Sequence, residues 1–154
     1  MYERILVPLD GSKVGEAALP YIEELVSKLS PEVKVEITLF QAVSSVTHAV
    51  VAGGETAKIP YTEKEIEQIK EKTVDYLEKA GEGLKSKGAI VKCKVEVGKP
   101  AEEIIKAANE INADLIAMST HGRSGISRWA FGSVTDKVLR GGNKPVLMVR
   151  AQMS

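Results

Sequence analysis

One cysteine, Cys93, stands in a chain of 154 residues, so no intramolecular disulfide can form and no thiolate cluster can hold a metal. Net charge is absent as well. The 21 basic side chains balance 21 acidic ones, leaving no overall field to draw the protein to nucleic acid or to an anionic membrane. Any anion site must therefore be local. Long apolar runs are missing, the longest being about four or five residues, far short of a membrane span. The start "MYERILVPLD" has no basic n-region and no apolar h-region, which predicts a cytoplasmic rather than a secreted protein. Internal repeats, linkers and low-complexity tracts are absent too.

What is present is a folding composition, 44% hydrophobic against 27% charged. The length suits a single domain over residues 1–154 that buries about 70% of its unfolded surface. "RILVPLD" (Arg4 to Asp10) reads as a buried strand. After it, Val14, Ala17, Ala18, Tyr21, Ile22, Leu25, Val26 and Leu29 recur at helical steps, with Ser12 placed to cap the helix and Pro20 expected to kink it. Val33 to Val43 reads as a second strand. Ser44 to Pro60 has no clear period and holds a Gly-Gly pair, which predicts a loop. Thr62 caps a long helix whose face is Ile66, Ile69, Thr73, Tyr76, Leu77, Ala80 and Leu84. In "AIVKCKVEV" the residues Ala89, Val91, Cys93, Val95 and Val97 alternate with Lys92, Lys94 and Glu96, as in an edge strand. Pro100 opens a helix with the stripe Ala101, Ile104, Ile105, Ala108 and Ile111. "DLIAMS" is apolar on both faces and so central. A helix over Ser133 to Arg140 and the strand "PVLMVR" complete the chain.

Alternating strands and helices predict an α/β fold: one doubly wound, five-stranded parallel sheet with helices on both faces. The amphipathic third strand belongs at an edge, which favours the order 3-2-1-4-5. Strands one and four then adjoin where the winding reverses, the place where such sheets bind ligands. Two segments meet there: Pro8-Leu9-Asp10, and the stretch "MSTHGRSGISRWAFGS" (Met118 to Ser133), about twice the usual length of such a connection.

The second segment has the makings of a phosphate cradle. Gly132 and Ser133 open the fourth helix, where the N–H groups of Ser133, Val134 and Thr135 lack helical acceptors and the dipole is positive. Gly132 lets a ligand approach the backbone, and the Ser133 and Thr135 hydroxyls can donate to oxyanions. Gly122 and Gly125 let the loop fold, while His121, Arg123 and Arg128 add positive charge. The glycines alone fit an N-capped helix after a flexible loop equally well. Asp10 can accept from ribose hydroxyls or an adenine amino group, or it can close an Asx turn with Gly11 and Ser12. Cys93 reads as a small core residue. Trp129 and Phe131 receive no ligand role.

"ILVPLDGS", "VGKPAEEIIKAANEINADLIAMSTHGRSG" and "FGSVTDKVLRGGNKPVLMVR" together resemble the universal stress protein family, over nearly the whole chain and least from Ser44 to Lys87. The nucleotide-binding branch of that family carries Gly, two residues, Gly, nine residues, then Gly followed by Ser or Thr. Gly122 is the second glycine here, Arg123 to Phe131 are the nine, and Gly132-Ser133 close the motif. Ser119 takes the place of the first glycine.

The resemblance implies ATP, with Mg2+ or Mn2+ held through the phosphates. On that pattern Pro8, Leu9 and Asp10 lie along the adenosine, and Ala42 offers backbone groups to the adenine edge. Met118 and Ser119 pass the ribose, His121, Gly122 and Arg123 admit the phosphates, and Gly132, Ser133, Val134 and Thr135 hold them. It also implies a homodimer joined through the last strand, Val146 to Val149. No base is evident near the γ-phosphate, and "THGR" lacks the second histidine of the H-x-G-H transferase motif. A nucleotide-dependent switch is therefore the leading expectation, beside a slow ATP hydrolase and a dimeric scaffold with a vestigial site. Cyclic AMP or another adenine nucleotide is an alternative ligand, and the downstream protein partner is unknown.

Overall fold

Residue pattern dictates the layers. In strand β1 (Arg4–Pro8), Ile5 and Val7 turn to one face and Leu6 to the other, all three with no exposed surface. The computed structural model describes residues 3–44, 47–120 and 132–151, without the side chain of His48. Parallel pairing joins β1 to β2 (Glu36–Val43) and to β6 (Leu115–Ser119), with β5 (Ile90–Val97) beyond β2 and β7 (Val146–Val149) beyond β6. The order β5-β2-β1-β6-β7 is the 3-2-1-4-5 pattern expected from the sequence, with the amphipathic strand at one edge and the fully buried β6 inside.

Helices cover both faces. On one side Leu19, Ile22 and Val26 of α1 (Leu19–Lys28), Leu77 of α2 (Glu63–Ala80) and Leu84 of α3 (Glu82–Ser86) pack on Ile5, Val7, Ile37, Leu39, Leu115 and Ala117. On the other, Ala101, Ile104, Ala107 and Ala108 of α4 (Pro100–Glu110) and Val138 of α5 (Ser133–Gly141) pack on Leu6, Phe40, Ile116 and Met118. Thr62 caps α2 as expected and forms a capping box with Glu65. Cys93 is half-buried against the first core, and burial pushes its thiol pKa up, as befits a packing residue. Asp114 fastens the start of β1 to β6: its Oδ2 accepts from the N–H groups of Glu3 and Arg4, both at 3.0 Å. Among the described residues no helix is long and apolar enough to cross a membrane.

Three expectations need correction. The long helix capped by Thr62 does not reach Leu84: α2 ends at Ala80, and Leu84 stands on the separate α3. The periodic face from Val14 to Leu29 is not one helix. A 3-10 turn at Val14–Glu16 precedes α1, and Pro20 falls in the first turn of α1, where its missing N–H costs no helical bond and causes no kink. Ser12 accordingly accepts from Gly15 N–H at 3.0 Å, ahead of that turn and not at the start of α1. The segment read as a loop contains a hairpin, β3 (Thr47–Ala52) with β4 (Glu55–Pro60). Gly53 and Gly54 have φ of 61° and 82°, the two positive values that a tight two-residue hairpin turn requires. Every residue of β4 is exposed, so no buried face imposed the alternation by which a strand is recognised.

Candidate functional site

A cavity of about 270 Å³ opens at the carboxyl ends of β1, β2 and β6, where the winding reverses. Five segments line it. Pro8, Leu9 and Asp10 leave β1, with Gly15 beside them; Phe40, Gln41, Ala42 and Ser44 come from the end of β2. Met118 and Ser119 end β6, Gly132 to Thr135 open α5, and Pro100 and Ile104 of α4 close the remaining side. Ten of the residues anticipated for a nucleotide site thus meet in one place: Pro8, Leu9, Asp10, Ala42, Met118, Ser119, Gly132, Ser133, Val134 and Thr135. His121, Gly122 and Arg123 lie outside the described residues, as do Gly125, Arg128, Trp129 and Phe131.

Hydrogen bonding sharpens the roles available to these side chains. Asp10 Oδ1 accepts from Ser12 N–H at 2.9 Å and from Ser12 Oγ at 2.6 Å, so the Asx turn exists while Asp10 also borders the cavity. The two readings of Asp10 are compatible. A Cβ on Gly15 would stand 2.4 Å from Asp10 Oδ1, so a larger residue there would displace that carboxylate from its present position. Ser119 is buried, and its Oγ donates to the Gly15 carbonyl at 2.9 Å and accepts from Ala18 N–H at 3.3 Å. Its hydroxyl clamps the end of β6 to the turn after β1.

Thr135 differs from expectation. Its buried hydroxyl donates to the Ser119 carbonyl at 3.2 Å and is thereby committed to the protein, leaving its backbone N–H to face an anion. Ser133 is exposed at the helix start. Gly132 also has another reason to be glycine: an added Cβ would lie 3.0 Å from the Thr120 carbonyl oxygen, to which Gly132 N–H already donates at 2.6 Å. The constraint is the approach of α5 to β6. Among the described residues no side chain caps α5, and the first-turn residues Ser133, Val134 and Thr135, whose N–H groups carry the positive end of the helix dipole, line the cavity.

The site combines apolar walls, one carboxylate and a helix N-terminus. Asp10 is the one titratable side chain among the described lining residues, and no described group of three or more His, Cys, Asp or Glu side chains could hold a metal. Such a cavity suits a ligand with a flat apolar body, hydroxyls and an anionic end. Sequence reasoning missed Gly15, Phe40, Gln41, Ser44, Pro100 and Ile104. Phe40 and Gln41 adjoin Ala42, and a readable signal was the buried strand emptying into the crevice. Pro100 and Ile104 gave none, because the entry of a crossover helix into the cavity depends on its tilt.

Comparison with known proteins agrees with this geometry. The universal stress protein family model matches residues 1–150. A universal stress protein of Methanocaldococcus jannaschii is 29% identical, with 100% of this chain and 98% of the relative covered. One from Bacillus subtilis is 29% identical over 97% of this chain and all of the relative. A solved structure of the Methanocaldococcus jannaschii protein superposes with a TM-score of 0.72 at 27% identity, covering 100% of this chain and 99% of the other. A universal stress protein solved in complex with cAMP has a TM-score of 0.66 at 21% identity, covering 98% of each chain. The Archaeoglobus fulgidus protein in complex with dAMP scores 0.62 at 22% identity, covering 96% of this chain and 97% of that one. With its parallel sheet, its cavity at the winding reversal and a family match over nearly its full length, the chain belongs to the universal stress protein family.

Proposed function

We propose that this chain binds an adenine nucleotide, ATP above all, and acts in the cytoplasm as a nucleotide-dependent switch in a stress response. The observation that carries the reading is the cavity itself, which sets Asp10 at one wall and the first turn of α5 at another. Pro8, Leu9, Asp10 and Ala42 would bound the nucleoside, and Met118 and Ser119 would pass beside the ribose. The N–H groups of Ser133, Val134 and Thr135, with the Ser133 hydroxyl, would hold the phosphates. Gly132 serves by letting α5 approach β6. His121, Gly122 and Arg123 complete the proposed set. Mg2+ or Mn2+ would be carried on the phosphates, neutralising their charge, because the described residues supply no cluster of ligands for it. Relatives solved with cAMP and dAMP support an adenine ligand for this fold.

The switch reading is placed ahead of hydrolysis because Asp10, at the nucleoside end of the proposed pose, would stand too far from the γ-phosphate to activate water there. Asp10 is the one described titratable side chain of the lining, and Ser12 donates two hydrogen bonds to Asp10 Oδ1. Calorimetry and thermal melting with ATP, AMP and cAMP test the proposal. Ligand at about a hundred times its Kd should stabilise the fold by about 2.7 kcal/mol, several degrees in Tm. No heat and no shift at millimolar nucleotide would sink it. Multiple-turnover phosphate release, abolished by a substitution in the cavity, would favour the hydrolase.

The proposal includes a homodimer through β7. That strand is an edge of the sheet, and Leu147 is 38% exposed, so an antiparallel copy would satisfy its outer backbone groups and cover that side chain. Val149, by contrast, is buried within its own protomer. Leu147 is therefore the residue through which the contact is tested.

A further inference from the structure

Tyr76 is a half-buried titratable group to which the cavity lining assigns no part. It stands on α2, packed against the first core, on the other face of the sheet from Ile104 and Met118. Its hydroxyl reaches across 60 residues of sequence to the 3-10 turn ahead of α1, where it donates to Glu16 Oε2 at 2.8 Å. Burial first, and then the nearby carboxylates of Glu16 and Asp10, hold the phenol well above its ordinary pKa, so the proton stays on the oxygen and is kept for Glu16.

What this bond secures is the turn that carries Asp10. Glu16 follows Gly15, which packs directly on Asp10 Oδ1. Gly15 N–H donates to Ser12 Oγ at 3.0 Å, and Ser12 Oγ donates to Asp10 Oδ1 at 2.6 Å. A continuous path of bonds and contacts thus runs from Tyr76 through Glu16, Gly15 and Ser12 to the one titratable side chain among the described lining residues. Ser119 holds the Gly15 carbonyl from β6, and Tyr76 holds the next residue from α2. Lys13 also lies 3.7 Å from Glu16 Oε1, but its side chain is exposed and that pair adds little.

We infer that Tyr76 is a positioning residue for nucleotide binding, holding the Asp10 carboxylate through Glu16 where the nucleoside meets it. The inference rests on the nucleotide reading above and extends it to a side chain outside the cavity.

The test is a double-mutant cycle, read by calorimetry on the full chain with AMP below the melting onset. Tyr76→Phe keeps the ring and removes only the hydroxyl. It should bind AMP about tenfold more weakly than the parent, the loss expected when a hydrogen bond to a charged group is misdirected. In an Asp10→Ala background the same change should alter affinity less than about twofold, because the carboxylate it aims is gone. Glu16→Gln keeps an oxygen for the phenol and should bind as the parent does, whereas Glu16→Ala should match Tyr76→Phe. This second pair carries the test if Tyr76→Phe does not fold. A role in folding alone would lower the Tm of Tyr76→Phe and leave its AMP affinity at the parent's value, which overturns the inference. An equal loss with and without the Asp10 carboxylate overturns it too. A parent that binds no AMP overturns the nucleotide reading itself, and this inference with it, before any variant is made.

Discussion

Replacing Ser119 by glycine restores the signature pattern of the family and should make the protein less stable without weakening its ligand binding. The Ser119 side chain makes two bonds across the winding reversal, to the Gly15 carbonyl at 2.9 Å and from Ala18 N–H at 3.3 Å. The first is of ordinary length and contributes about 1 kcal/mol net; the second is long and contributes about half of that. Gly15 and Ala18 are both buried, so the penalty for leaving the carbonyl and the N–H unbonded comes on top of these two values. Glycine within a strand adds roughly 0.5–1 kcal/mol through the freedom of the unfolded chain. The expected loss is therefore at least about 2 kcal/mol, a fall in Tm of roughly 4–8 °C or more at this size. Ser119→Ala, which lacks the glycine contribution, should fall by roughly 3–6 °C or more. Scanning calorimetry checks both values, and titration with nucleotide below the melting onset checks affinity. Because the hydroxyl is engaged inside the protein, affinity for AMP or ATP should equal or exceed that of the parent. A Ser119→Gly protein melting within about 1 °C of the parent would refute the clamp. Weakened binding at unchanged stability would instead make the hydroxyl a ligand contact.

Three further variants probe other parts of the molecule. Gly132→Val should cost about 1–3 kcal/mol and lose nucleotide binding, because its Cβ would press on the Thr120 carbonyl 3.0 Å away and push the first turn of α5 aside; a variant with the parent's melting and binding curves refutes this. Asp114→Asn reports on acid stability: hydrogen bonds from the Arg4 and then the Glu3 N–H hold the Asp114 carboxyl below its usual range. A depressed folded value means that the stabilisation is present above the unfolded value and is lost as pH falls through the folded one. The melting gap between parent and variant should therefore be open at neutral pH and close below about pH 4; a gap constant down to about pH 2 contradicts that assignment. Leu147→Lys should leave a folded monomer where the parent sediments as a dimer, since the charge falls on an exposed edge position; an unchanged sedimentation profile moves the interface elsewhere.

The sheet was legible because its signals are local and strong. Alternation along Ala89 to Val97 marks an edge strand, and unbroken apolarity from Leu115 to Met118 marks a central one. The site was legible to the extent that topology alone brings Asp10 and Ser133 together. Less visible were features fixed by tertiary approach. Pro20 has the same spacing in a kinked helix as at a helix start, and only the turn ahead of α1 decides between them. The Thr135 hydroxyl looks available for an anion until the Ser119 carbonyl is found 3.2 Å from it. The β3–β4 ribbon escaped because its exposed second strand carries no hydrophobic period.

The strand order also imposes a timetable on folding. The first strand made is the central one. It pairs with β2 from Arg4 to Glu36, 32 residues along, but with β6 only from Ile5 to Leu115, 110 residues along. Closing the longer loop costs about 1 kcal/mol more in chain entropy, and during synthesis the partner does not yet exist. The half-sheet β5-β2-β1 can therefore assemble first, with one edge of β1 waiting for the chain to return. The cavity lies astride that waiting edge, so it comes into being only when the two halves join.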